Sequence, residues 1–241
     1  MSADEHKTSS EAIALTEQVS YALRSYYSIG WLTTADIMKT YAEEIGGGKE
    51  RPDAPDYDKM RAFVLSALTA SVAFLEAHIN ELFDDAHEYI AEPGVKALRG
   101  LDRGAQMQMA AKWPDIKKTR LVEKYATALS LAGVSPLDRG AEPSQSVKDL
   151  LSVRNHYVHY QPDSVRDGIA QGDDKKLSAR LRTSLTLPEW DKDGTDLFPT
   201  RAICPDLARW ALESAVRYTD AFCKSLSIMP GYNHVRPEWL V

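Results

Sequence analysis

The chain has 241 residues and a formal net charge of −6, with 44% hydrophobic and 27% charged residues, which is the balance of a globular protein with a full core. The acidic excess argues against a non-specific coat protein for nucleic acid, because such proteins neutralise phosphates with lysine and arginine. Two cysteines are too few for a disulfide framework or a zinc ribbon. The sequence contains neither an apolar leader nor an apolar run of about 18 residues, so we expect a cytoplasmic protein without a membrane span.

Helical periodicity dominates the first quarter of the chain. Residues 9–29 and 33–45 predict two helices, and Gly46-Gly47-Gly48 predicts the end of the second. The stretch GGGKERPDAPD (46–56) combines glycines, prolines and charges, which is typical of a linker. We therefore expect a helical N-terminal extension with its linker (1–55), a helical core (56–228) and a C-terminal tail (229–241).

The core is expected to consist almost entirely of helices. The periodicity predicts helices over 57–90, 103–112, 115–133, 144–160 and 205–227. Residues 162–200 are polar and predict a long loop with a short strand pair at 181–187. The fold class expected is all-α, a bundle of four to five core helices with the N-terminal helical extension.

The helix at 57–90 has two distinct faces. One carries an apolar stripe and the other small residues, so we expect neighbours on both sides of it. Glu76 and Asn80 lie one turn apart at the edge of the small face and need polar partners if they are buried. Between 99 and 124, basic residues outnumber acidic ones. This stretch is either a solvated face or a docking strip for a polyanion.

The stretch LLSVRNHYVHYQP (150–162) concentrates the residues that could carry chemistry. On a helical projection Arg154 falls on the apolar face, with Asn155 on its flank and His159 in the last turn. His156 points almost the opposite way. Two explanations account for an arginine on the apolar face. Arg154 forms either an ion pair with Glu76 or a phosphate pocket with His159. The helix end favours the protonated form of the His159 imidazole.

This stretch resembles the Arg-polar-x-x-x-His motif of HEPN domains (higher eukaryotes and prokaryotes nucleotide-binding). SVAFLEAHINELF (71–83) is similar to the long helix that precedes the motif in that family, and residues 198–222 are similar to its last helix. The resemblance covers roughly residues 57–227. It implies a HEPN-like helical bundle that dimerises and is often a metal-independent endoribonuclease.

The resemblance also implies roles for individual residues. The 2′-hydroxyl of RNA would attack the adjacent phosphate, with His159 as general base or acid and Arg154 stabilising the developing charge. Asn155 would orient the phosphate or the histidine. Glu76, Asn80, His156 and Tyr160 are expected in supporting positions. Because Arg154 and His159 point about 140° apart on one helix, the site is expected at a homodimer interface.

Other interpretations remain open at this point. His156, His159 and Asp163 could form a metal site, although the family resemblance implies neither metal nor cofactor. Tyr157 and Tyr160 could pack in the core or stack on a base, and His78 is expected to be a core histidine. The chain is therefore either an RNA-cleaving toxin or phage-defence effector or a non-catalytic helical dimer. Such a dimer would bind a nucleotide or a protein partner. For the effector, an antitoxin or regulatory protein is a candidate partner.

Overall fold

A computed structural model of the chain describes residues 25–91, 100–159, 173–191 and 197–240. These ranges form seven α-helices: α1 (Tyr27–Gly46), α2 (Ala54–Ala91), α3 (Arg103–Ile116), α4 (Leu121–Leu131), α5 (Ser144–Val158), α6 (Asp173–Ser184) and α7 (Pro205–Ser225). Short 3-10 helices occupy Glu189–Asp191, Asn233–Val235 and Glu238–Leu240. No strand occurs within the described ranges, and the all-α prediction is confirmed.

Helix α2 is the centre of the bundle and contacts α1, α3, α4, α5 and α7. The predicted apolar stripe is buried, with Met60, Phe74 and Leu75 fully inaccessible to solvent. The small-residue face is not fully covered within the single chain, because Ser66 and Thr69 are exposed. The expectation of neighbours on both sides is therefore only half correct.

Helix α2 is also long and apolar enough to cross a membrane, judged by length and composition alone. The same test selects the central helix of a helical bundle, and half of its most apolar window is buried inside the protein. The five helices packed against α2 account for its apolar character.

Helix α1 belongs to the same hydrophobic core as α2. The predicted break between residues 29 and 33 is wrong, since α1 runs without interruption through Gly30. A single glycine weakens a helix by only about 1 kcal/mol, and burial of Leu32 and Ala35 against the core outweighs that. The rest of the first predicted helix, residues 9–24, lies outside the described residues.

Gly46 ends α1 at a point of close approach between three helices. A Cβ atom there would lie 2.3 Å from the Met60 sulfur and 2.8 Å from a Pro205 side-chain carbon. The Gly46 carbonyl accepts a hydrogen bond from the Trp190 indole nitrogen, at 3.1 Å. The glycine is required by packing as well as by the end of the helix.

The boundary between α3 and α4 differs from the sequence prediction. Pro114 lies inside α3 instead of between two helices, and the predicted helix 115–133 is replaced by a turn at 117–120 followed by α4. Because proline has no N–H, the carbonyl of Ala110 loses its usual helical donor. The His87 ring nitrogen Nδ1 lies 3.3 Å from that carbonyl oxygen and takes the place of the missing donor.

Helix α4 ends where the sequence predicts. Gly133 has a φ of +71°, and the Val134 amide donates to the Leu129 carbonyl at 2.9 Å. This left-handed glycine with a hydrogen bond back into the last turn is a Schellman ending.

The strand pair expected at 181–187 is wrong, because α6 occupies residues up to Ser184. Leu177, Leu181 and Leu185 repeat at a spacing of four residues and are all buried. In the sequence the three leucines lie between polar residues, so their spacing is only a weak signal for a helix. Packing of the leucines on the core stabilises the helix.

The C-terminal residues pack back onto α1. The Trp239 indole donates to the Asp36 carboxylate at 2.9 Å, and Lys39 lies 4.4 Å from the centre of the Trp239 ring. Tyr232 is buried and its hydroxyl donates to Asp220 at 2.7 Å.

Candidate functional site

Helix α5 carries the candidate motif and is held against the bundle by one buried face. Val147, Leu150 and Val153 are fully buried, and α5 contacts α2 and α7. The Glu142–Pro143 segment precedes the helix, and the helix ends at Val158, close to the end that Pro162 predicts. A packed helix of this kind gives its solvent-facing side chains a fixed spacing along the surface.

The three residues expected at the catalytic site lie along the outer side of α5. Asn155 and His159 are exposed, and Arg154 is half-buried at the border of the packed face. The His159 amide donates to the Asn155 carbonyl at 2.9 Å and closes the last turn. The side chains of Asn155 and His159 therefore follow one another on the same face, one turn apart.

The helical projection places Arg154 on the apolar face. In the structure, Arg154 does not lie at the centre of that face. The buried face is centred on Leu150 and Val153, whereas Val158 is 53% exposed. Asp149 lies on the buried side of α5 and accepts hydrogen bonds from the Arg180 guanidinium at 2.9 Å. This ion pair to α6 allows a carboxylate to be buried there, and no pattern in the sequence predicts it.

Glu76 and Asn80 do have a common partner, but it is Lys124 on α4. The Lys124 ammonium donates to the Glu76 carboxylate at 2.7 Å and to the Asn80 side-chain oxygen at 2.9 Å. The Lys124 side chain is 2% exposed and that of Glu76 is 44% exposed. Among the described residues no ion pair joins Glu76 to Arg154, so the predicted pair is wrong. The two polar side chains attach α4 to α2.

His156 and Tyr157 pack on the loop before α7 instead of facing solvent. The His156 ring centre lies 4.5 Å from that of Phe198, in an edge-on arrangement. The Tyr157 hydroxyl donates to the Pro199 carbonyl at 2.6 Å. Both residues anchor the C-terminal half of α5. Tyr160 lies outside the described residues.

The alternative interpretation as a metal site requires that His156, His159 and Asp163 bind the same ion. Asp163 lies outside the described residues. His156 packs against Phe198 while His159 is exposed. In the described part of the chain, no three side chains of histidine, cysteine, aspartate or glutamate come together at metal-binding distance.

The structure also brings together a histidine and a cysteine that are distant in sequence. His78 Nε2 lies 3.9 Å from the Cys223 sulfur, and its Nδ1 lies 3.3 Å from the Tyr125 hydroxyl. Burial lowers the pKa of His78 to about 4 and raises the pKa of Cys223 to about 12. Both groups are therefore neutral near pH 7, and the pair lacks the thiolate that a cysteine nucleophile requires. His78 is a core histidine, as the sequence predicts.

The arrangement on α5 places a cation, an amide and an imidazole on the accessible part of a rigid helix.

Comparison of the chain with protein-family models, with curated proteins and with solved structures finds no match. The resemblance to HEPN domains therefore stays a prediction that rests on the motifs at 71–83, 150–162 and 198–222.

Proposed function

We propose that the chain is a metal-independent endoribonuclease of the HEPN type that acts as a homodimer in the cytoplasm, as a toxin or phage-defence effector. The observation that carries the proposal is the placement of Asn155 and His159 on one exposed face of α5, with Arg154 at its edge. These are the three positions that the family motif assigns to the reaction, and none of them is enclosed in the core.

The proposed reaction requires only groups that the RNA and these side chains supply. The 2′ oxygen forms a bond to phosphorus and the bond from phosphorus to the 5′ oxygen breaks, which leaves a cyclic phosphate and a 5′-hydroxyl. The His159 imidazole removes the proton of the 2′-hydroxyl, and the imidazolium so formed supplies a proton to the leaving oxygen. The Arg154 guanidinium stabilises the charge on the phosphorus centre, and its planar donors suit phosphate oxygens.

A dimer brings together groups that diverge on one helix. Arg154 and His159 point about 140° apart, so a second α5 packed on the first is needed to complete one site. The exposed apolar side chain of Val158 lies between these residues in sequence. Such a side chain is suited to the buried centre of a small symmetric contact.

The test is cleavage of a mixed RNA preparation by the wild type, Arg154→Ala and His159→Ala, each with and without EDTA. His234→Ala is the matched control, because His234 is an exposed histidine in the 3-10 helix Asn233–Val235. We expect EDTA-resistant cleavage that both α5 variants lose and the control retains. If the wild type leaves RNA intact, the nuclease is refuted. A dimer that still binds nucleotide would then be the non-catalytic alternative.

Mixing the two inactive variants tests whether the site is shared between protomers. If Arg154 of one protomer works with His159 of the other, each mixed dimer contains one intact site. Random exchange then restores about a quarter of the wild-type activity. No recovery after verified subunit exchange would contradict the shared site.

A further inference from the structure

A cleft of about 350 Å³ opens where α4 and α5 begin. Its cationic side chains are Arg120, Arg139 and Lys148, and its apolar wall is formed by Leu121, Val122 and Leu151. We call this the basic cleft. Its volume is at the lower end of the range for small-molecule sites, which suits a phosphate with an adjoining planar group.

The three cations of the basic cleft form no ion pair within the described residues, and Glu123 is the one carboxylate among its lining residues. Elsewhere in the same chain, lysines on exposed helix faces pair with nearby aspartates, as Lys59 does with Asp56 and Lys112 does with Asp115. The cleft thus has an excess of two positive charges. Like charges gathered around a concave surface repel one another, and an anion bound between them removes that repulsion.

Two helix N-termini and one hydroxyl add hydrogen-bond donors to the cleft. Neither α4 nor α5 has a side-chain cap, so the positive ends of their dipoles favour an anion at the cleft. The amides of Glu123 and Gln145 already donate to backbone carbonyls. Ser144, at the start of α5, lines the cleft and is 7% exposed. Its hydroxyl has no hydrogen-bond partner in the described part of the chain. The hydroxyl is therefore available to donate a hydrogen bond to an anion in the cleft.

The basic cleft and the candidate catalytic residues share one face of α5. Lys148, Asn155 and His159 are exposed and recur at spacings of seven and four residues, which places them in line along the helix. Lys148 and Asn155 are about 10 Å apart along the axis, at a rise of about 1.5 Å per residue. A strand of a few nucleotides spans that distance.

We propose that the basic cleft binds a backbone phosphate of single-stranded RNA, a short distance along the strand from the phosphate on which Arg154 and His159 act. The inference rests on the proposed function. Arg139, Lys148 and Ser144 supply the contacts to the phosphate, and the apolar wall receives the adjoining base. Contacts of this kind neutralise backbone charge without reading sequence, so the cleft adds affinity for single strands of any sequence.

The test measures binding separately from cleavage. A fluorescent 12-nucleotide RNA with 2′-O-methyl groups at every position cannot be cut, because the attacking hydroxyl is blocked. Its dissociation constant is measured as a function of salt for the wild type and for Arg139→Gln/Lys148→Gln. The matched control is Lys49→Gln/Lys224→Gln, which removes the same charge from exposed positions outside the cleft. Thermal unfolding of each variant verifies that it is folded.

We expect the cleft variant to bind about tenfold more weakly or worse, and the log–log salt slope to fall by about 0.7, because the contact to one phosphate is lost. The control should stay within about twofold of the wild type, because its charges lie outside the contact. Ser144→Ala should weaken binding without lowering stability, since the hydroxyl has no internal partner to lose.

Equal binding by the wild type and the cleft variant would overturn the inference. So would competition by a mononucleotide at the same concentration as the oligonucleotide, which would identify a free nucleotide as the occupant. Cleavage of ordinary RNA, measured in parallel, distinguishes the two proposals. Unchanged kcat/KM and binding in the cleft variant would refute the cleft alone, whereas cleft-dependent binding without any cleavage would refute the nuclease alone.

Discussion

Glu76→Gln changes the environment of a lysine that is almost completely buried. The Lys124 ammonium is 2% exposed and donates to the Glu76 carboxylate at 2.7 Å. After the substitution its remaining partners in this network are neutral oxygens, those of Asn80 and of the new amide. The positive charge then stays inside the bundle, between α2 and α4, without a negative group beside it.

The size of the effect follows from the unequal exposure of the two side chains. Removing one partner of a fully buried ion pair costs about 3–5 kcal/mol. The Glu76 side chain is 44% exposed, so water already screens part of the attraction and the expected loss is about 2 kcal/mol. Lys124→Met removes the buried charge itself and leaves a carboxylate that water can solvate, and we expect a loss of about 1 kcal/mol.

The double mutant Glu76→Gln/Lys124→Met should be only slightly less stable than Lys124→Met. The free energies of unfolding, from urea titrations followed by far-ultraviolet circular dichroism, should therefore give a coupling energy of about 1.5 kcal/mol. The control cycle of Glu76→Gln with Arg154→Met should be additive within about 0.5 kcal/mol. Additive losses for Glu76 with Lys124, or coupling of Glu76 to Arg154 instead, would refute the assignment.

Three further changes test other parts of the structure. In the folded chain, burial lowers the pKa of His78 to about 4. Between pH 6.5 and 4, His78 therefore binds a proton in the unfolded chain but not in the folded one. The free energy of unfolding should therefore fall by up to about 3 kcal/mol over that range, and His78→Gln should lose this pH dependence. Asp149→Asn should lower stability by about 1–2 kcal/mol and increase amide exchange in α6, because the Arg180 guanidinium loses its charged acceptor. Trp239→Ala should lower stability by about 2 kcal/mol and expose the C-terminal residues to protease, because the ring and its hydrogen bond to Asp36 are lost.

The changes at Asp149 and His78 each have a matched control. Asp56→Asn removes an exposed pair with Lys59 and should change stability by less than about 0.5 kcal/mol. His234→Gln replaces an exposed histidine and should keep the pH dependence of the wild type. An acid transition of unchanged size in His78→Gln, or a loss in Asp56→Asn equal to that in Asp149→Asn, would contradict the corresponding explanation.

The sequence by itself determined the fold class and the long helices. Helices at 57–90, 144–160 and 205–227 were predicted to within about three residues of α2, α5 and α7. Their signals are local: an apolar repeat over many turns, proline at the start of α7 and a proline shortly after α5. Gly133 likewise ends α4 through its own backbone conformation. The sequence also placed Asn155 and His159 one turn apart near the end of one helix.

Only the tertiary structure decided which groups meet between helices. The partner of Glu76 is 48 residues away on α4, and the partner of the buried Asp149 is Arg180 on α6. Pro114 stays inside a helix because His87 lies at the Ala110 carbonyl that it leaves without a donor. The basic cleft exists because the starts of α4 and α5 lie side by side. In each case the free energy depends on contacts between residues distant in the chain, and local periodicity contains no information about them.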